Sequence, residues 1–176
     1  MESRYIMTAF GRDRPGIVAD VTKILYENGC NLEDNTMTLL VDEFTLILLF
    51  TCPRKDIEEH LNRECRRLER DNGISAFIRP LEERREVSRS KSQDCTLHVE
   101  GMDQAGIVYK ISRYLADNAV NIVDIKSTVK ASPESGTAVY TMEILVQVPG
   151  GSSPSQLEDG LAAVAEEVHV DITVSR

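Results

Sequence analysis

Gly11-Arg12-Asp13-Arg14-Pro15-Gly16-Ile17-Val18 opens a stretch that runs on to Asn28, Asn31 and Asp34. Gly101-Met102-Asp103-Gln104-Ala105-Gly106-Ile107-Val108 opens a second that closes on Asn118, Asn121 and Asp124, and each matched residue lies 90 positions after its counterpart. A turn, a helix start and a polar strand start that recur together mark a duplicated module with a duplicated surface. With 176 residues in all, the repeat predicts two domains of roughly 80 residues each.

Outward from the first copy, Arg4 to Phe10 is a short apolar run that ends at Gly11, the pattern of a buried strand stopping at a glycine turn. Ile17, Val18, Val21, Ile24 and Leu25 fall on one helical face, and Asn28-Gly29 is a helix stop. Asn31 to Val41 and Phe44 to Thr51 read as strands, the latter apolar on both parities as a central strand is. Ile57, Leu61, Cys65 and Leu68 stripe a helix within 54–72, and Ile74 to Ile78 is a last strand. The second copy repeats the order, with strands at 95–100, 121–130, 137–148 and 169–174 and helices at 106–118 and after Pro154, where Ser155 and Glu158 form a capping-box pattern.

The order β-α-β-β-α-β predicts an α+β fold: two ferredoxin-like modules, each an antiparallel four-stranded sheet with both helices on one face and the other face uncovered. The expected boundaries are residues 1–81 for the first domain, 82–93 for a polar linker and 94–176 for the second.

Composition limits the function classes. A formal charge of −9, with acids outnumbering bases in both halves, argues against direct nucleic-acid binding. Arg63, Arg66, Arg67 and Arg70 interleave with Glu58, Glu59, Glu64 and Glu69, which is the pattern of a solvated, salt-paired helix face. Neither a long apolar run nor a signal-peptide core is present, so the expectation is a cytoplasmic protein without membrane contact. Cys30, Cys52, Cys65 and Cys95 lack C-x-x-C spacing and sit in apolar patterns, so they read as buried free thiols rather than disulfide or metal ligands. His60, His98 and His169 lie outside the repeated turns, and no nucleophile–base pattern, phosphate loop or metal spacing appears; catalysis and cofactors are not expected.

The repeated turn itself suggests binding. Amides at a new helix start, together with the positive end of its dipole, suit an anion. Gly16-Ile17-Val18 and Gly106-Ile107-Val108 could meet a carboxylate closely, while Asn31, Asp34, Asn121 and Asp124 offer acceptors for an ammonium group. Both together suit an α-amino acid. A second reading stays open: Asp13 and Asp103 are equally good N-caps for the same amides, the glycines serve the turn alone, and the asparagines bond nearby backbone.

Gly11 to Val18, followed by Leu25, Asn28-Gly29 and Asn31-Leu32, resembles the opening of the ACT domain, a regulatory module that typically binds amino acids. The second copy departs in carrying Gln104 for Arg14 and Ala105 for Pro15, which sets the two sites apart. Two such modules filling the chain are similar to the family of glycine cleavage system transcriptional repressors. The resemblance implies modules paired side by side through their second strands, with an effector between the β1–α1 turn of one and the second strand of its neighbour. Carried onto this sequence, Asp13, Pro15, Gly16, Ile17 and Val18 would face Asn121 and Asp124, and Asp103, Gly106, Ile107 and Val108 would face Asn31 and Asp34. It also implies a homodimer and a non-catalytic regulator of glycine or serine response that acts through a regulatory or enzyme protein partner; the alternatives are a ligand-independent scaffold and a regulatory enzyme subunit. A ligand of about five heavy atoms binds with at most roughly 7 to 8 kcal/mol, hence micromolar at best.

Overall fold

The computed structural model describes residues 3–53, 57–81, 92–131, 136–151 and 154–175. The chain divides into two compact units, residues 1–85 and 86–176, and each is described by itself. Most of the expected linker and the turn at 132–135 fall outside the described residues.

In the first unit β1 (Ser3–Arg12), α1 (Ile17–Glu27), β2 (Asn31–Leu40), β3 (Glu43–Cys52), α2 (Glu58–Asn72) and β4 (Ser75–Pro80) follow one another. The second repeats them as β5 (Gln93–Met102), α3 (Ile107–Asp117), β6 (Asn121–Ala131), β7 (Ala138–Val148), α4 (Pro154–Glu167) and β8 (Val170–Ser175). The sheets run β2-β3-β1-β4 and β6-β7-β5-β8 with every pairing antiparallel. This is the expected ferredoxin-like arrangement.

One face of each sheet carries the core. Tyr5, Met7 and Ala9 of β1 and Phe44, Leu46, Leu48 and Phe50 of β3 pack with Ile17, Val21, Ile24 and Leu25 of α1 and Leu61, Cys65 and Leu68 of α2. In the second unit Leu97, Val99, Met142, Ile144 and Val146 pack with Ile111, Leu115 and Leu161. The central strand β3, apolar on both parities, buries only alternate residues, so Ile47 and Leu49 look out of the other face.

Three expectations change. The first strand does not stop at Gly11 but continues to Arg12, and β5 likewise continues through Gly101 to Met102. These glycines lie on the core side of the sheet, where the chain entering β4 or β8 passes close: a Cβ on Gly11 would sit 3.0 Å from the Gly73 carbonyl oxygen, and one on Gly101 only 2.9 Å from that of His169. Close approach, rather than turning, is their purpose. Ser155 lies inside α4, which begins at Pro154, so it is not the cap residue.

The third correction concerns the cysteines. Cys30 and Cys52 form a disulfide, their Cα atoms 4.4 Å apart, because the β2–β3 register sets Asn31 beside Thr51 and brings the preceding and following residues together. Cys65 and Cys95 are buried free thiols as expected. Burial pushes the Cys65 thiol up to about 11, with Glu64 adding to the effect and Arg66 opposing it.

The modules differ where helices end. Gly29 and Gly73 take left-handed conformations, and the corresponding Ala119 and His169 do so with φ of 56° and 49°. An L side chain pays about 1 kcal/mol or more there. Ala119→Gly should therefore stabilise the second module by about 1 kcal/mol against urea, and an unchanged midpoint for that module would refute it.

Candidate functional site

The turn between β1 and α1 is anchored at both ends. The amide of Asp13 donates to the carbonyl of Asp42 at 2.7 Å, tying the turn to the β2–β3 hairpin. Arg14 Nη2 meets Asp20 Oδ2 at 2.6 Å, and Asn72 Nδ2 donates to the same oxygen at 3.2 Å. Gly16 is the N-cap of α1 in the left-handed region, φ 88°, and no side chain caps the helix. The second copy is alike: Gly106 is the N-cap at φ 99°, again without a side-chain cap, and Asp103 donates its amide to Ala138. The alternative that Asp13 or Asp103 caps the helix is thus excluded, since a residue in the left-handed region takes the cap position and leaves the aspartate three residues upstream.

An uncapped helix start presents amides and the positive dipole end to whatever approaches, although in the first copy the Ile17 amide already donates to the Arg14 carbonyl at 3.3 Å. Ile17 and Ile107 are buried and hold the first turn to the core, while Val18 and Val108 are about two-fifths exposed, 40% and 42%, beside it. A side chain at Gly16 or Gly106 would be strained by the positive φ and would stand at the approach to these amides.

The strand starts are shaped by a feature that periodicity did not show. In both repeats a β-bulge interrupts the ladder, between Leu32 and Asp34 and between Ile122 and Asp124. The extra residue turns Asp34 and Asp124 toward the open face of the sheet, opposite Leu49 and Leu145. Glu33, at the first bulge, accepts from Arg4 Nε at 3.0 Å. Asp34 Oδ1 accepts from the amide of Asn35 at 2.8 Å. Asp124 instead pairs with Lys126 at 2.8 Å, and the lysine's hydrogen bond holds its carboxyl below the usual carboxylate range while raising the Lys126 ammonium. Asn28 and Asn118 are occupied, donating to the carbonyls of Ile24 and Tyr114.

Within one module the two halves of the expected site stand apart. Thr51 is the register partner of both Arg4 and Asn31, while Glu43 is that of both Arg12 and Leu40. The turn therefore lies at one end of the sheet and the Asn31 start at the other, about 26 Å along β3. The second module repeats this, with Gln147 beside Asn121 and Val139 beside Met102. Within one module a small ligand therefore cannot reach both halves.

A depression of about 630 Å³ lies elsewhere, on the open face of the second sheet, lined by His98, Glu100, Lys126, Thr141, Glu143 and Asp171 among others. His98 Nδ1 is 3.5 Å from Glu143 Oε1 and its Nε2 is 3.1 Å from Ser175 Oγ. The order resembles a nucleophile–base–acid set that no local pattern announces, because the residues lie on three different strands. Yet both His98 and Glu143 are substantially exposed, their side chains 46% and 67% accessible to solvent. Among the described residues no cluster fit to hold a metal occurs, and no helix is long and apolar enough to cross a membrane.

Comparison with known proteins places both repeats together. Residues 3–78 and 95–175 each match the family model of the ACT domain. The glycine cleavage system transcriptional repressor of Escherichia coli is 22% identical over 97% of this chain and 88% of its own length. A UPF0237 protein of Methanopyrus kandleri, 31% identical, matches 43% of this chain and 86% of its own, as a single module would. A crystal structure of an unknown protein from Galdieria sulphuraria superposes with a TM-score of 0.78 at 26% identity, covering 99% of this chain and 98% of that one.

Proposed function

The chain belongs to the ACT domain family through both of its halves, and on that premise we propose that it is a non-catalytic regulatory protein that binds a small α-amino acid, glycine or serine first. The observation that carries this reading is the pair of uncapped helix starts behind left-handed Gly16 and Gly106. The ligand carboxylate meets the amides of Gly16-Ile17-Val18, or of Gly106-Ile107-Val108, in a turn that Pro15 stiffens in the first copy only. Its ammonium group is taken by the Asn and Asp of another module's second strand, with the carboxylates of Asp13 and Asp103 near each turn. The two sites are unequal: Asp34 offers a carboxylate bonded only to a neighbouring amide in the described structure, whereas an ammonium at Asp124 competes with Lys126. The effector's signal passes to a protein partner, in keeping with an acidic chain related to a transcriptional repressor.

A panel of the twenty amino acids read by thermal unfolding tests this. At about a hundred times its dissociation constant the effector stabilises by roughly 2.7 kcal/mol, a shift of several degrees. Gly16→Glu with Gly106→Glu should abolish that shift while the fold persists. Silence across all twenty amino acids would end the sensing proposal. A ligand-independent scaffold draws instead on the second strands, exposed along almost their whole length; a partner retained equally with and without amino acids would favour it.

A further inference from the structure

The open faces of the two sheets have diverged. On the first, Ile6, Phe10, Ile47, Leu49 and Phe77 surround Thr8, with Phe10 and Phe77 stacked at 6.1 Å between ring centroids. Phe77 is 64% exposed, and Phe10 and Ile47 are 43% and 36% exposed. Matching registers put Thr96, Glu100, Glu143 and Thr173 where the first sheet has Ile6, Phe10, Ile47 and Phe77. The same fold thus forms with a polar open face, so folding does not require the apolar one. Large apolar side chains grouped on a face that folding leaves uncovered mark a surface for association.

The arrangement of charge identifies the occupant. Arg12 and Glu43 stand side by side at one end of the open face; toward the other end, in one row across the strands, Asp34 lies on β2 and Arg79 on β4. Consider a two-fold axis lying in the face, parallel to the strands and between β1 and β3. It sets β1 over β3 of a second copy and β4 over its β2. Ile6 then meets the partner's Leu49, Arg12 meets the partner's Glu43, and Arg79 meets the partner's Asp34, so this dimer and an effector ammonium at Asp34 exclude one another. Every opposed charge has the opposite sign, and the aligned packing this needs is the usual one for stacked sheets, some 30° off parallel. Four strands spaced about 4.8 Å, over eight residues of about 3.3 Å, give about 500 Å² per copy, or about 1,000 Å² in all, below the roughly 1,200 Å² of standard stable interfaces and at the mark a weaker biological interface must clear. We propose that the open face of the first sheet is a homodimer surface, joined face to face with that of a second copy of the chain.

Sedimentation equilibrium of the full chain from roughly 1 to 100 µM provides the test. The wild type should dimerise, and Ile47→Glu should raise the dissociation constant about tenfold or more, while Thr96→Glu, at the Ile6 position of the other sheet, leaves it unchanged. Arg12→Glu and Glu43→Arg should each weaken the dimer, and mixing the two variants should restore it, because each then opposes the other's charge. Circular dichroism checks that each variant folds. A wild type that stays monomeric, an Ile47→Glu chain that dimerises as well as the wild type, or a mixture no tighter than its components would each overturn the assignment.

Discussion

Gly101→Val is expected to cost the second module about 3 kcal/mol, enough to unfold it at temperatures where the first remains folded. The reason is local geometry. A Cβ at this position would lie 2.8 Å from Val170 Cγ1, 2.9 Å from the His169 carbonyl oxygen and 3.0 Å from Val170 Cα. Two of those atoms are backbone, so no rotamer change relieves the overlap; β8 must move off β5, with which Val170 and Gly101 are in register. His169 is already held at φ 49°, which leaves little freedom just before the strand. The equivalent Gly11→Val meets only the Gly73 carbonyl oxygen, at 3.0 Å, with its other neighbours at 3.5 Å, and should cost the first module less. Hydrogen exchange read by mass spectrometry separates the modules. Protection of β8 that is unchanged in Gly101→Val would contradict the close-approach explanation.

Reduction of the Cys30–Cys52 disulfide should destabilise the first module by about 3 kcal/mol, through the loop it closes in the unfolded chain. The sequence separation is 22 residues, long enough for this constraint to matter and short enough to leave the rest of the module untouched. For a domain of this size that is roughly 12 to 24 °C in melting temperature. The second module serves as the control, since it carries Val120 and Val148 at the matching places and has no bond to lose. The double variant Cys30→Val, Cys52→Val should fold and should melt at the same temperature with and without dithiothreitol. A wild type whose first module melts at the same temperature with and without reductant would refute the prediction.

The order of elements was legible because it rests on local pattern. Val21, Ile24 and Leu25 recur with helical period, and Tyr140, Met142, Ile144 and Val146 with strand period, and each lies in the core. What was not legible depends on register between distant residues. Cys30 and Cys52 meet because Asn31 pairs with Thr51, and nothing within either segment announces that pairing. The bulges before Asp34 and Asp124 are single-residue slips invisible to a period-two count. Asp13 stood open as a helix cap because aspartate is a preferred N-cap residue; the left-handed conformation of Gly16 puts the cap three residues downstream. The repeated turn was found by its duplication, and the separation of its two halves within a module emerged only from the register of β3 with both neighbours.

That separation has a thermodynamic consequence. A module with its β1–α1 turn at one end of the sheet and its second-strand start at the other is a polar object, with a head and a tail about 26 Å apart. If an effector needs both ends, as the proposed function has it, one module cannot hold it alone. Under the proposed function, module pairing and effector binding are linked, each raising the apparent affinity for the other by the same factor.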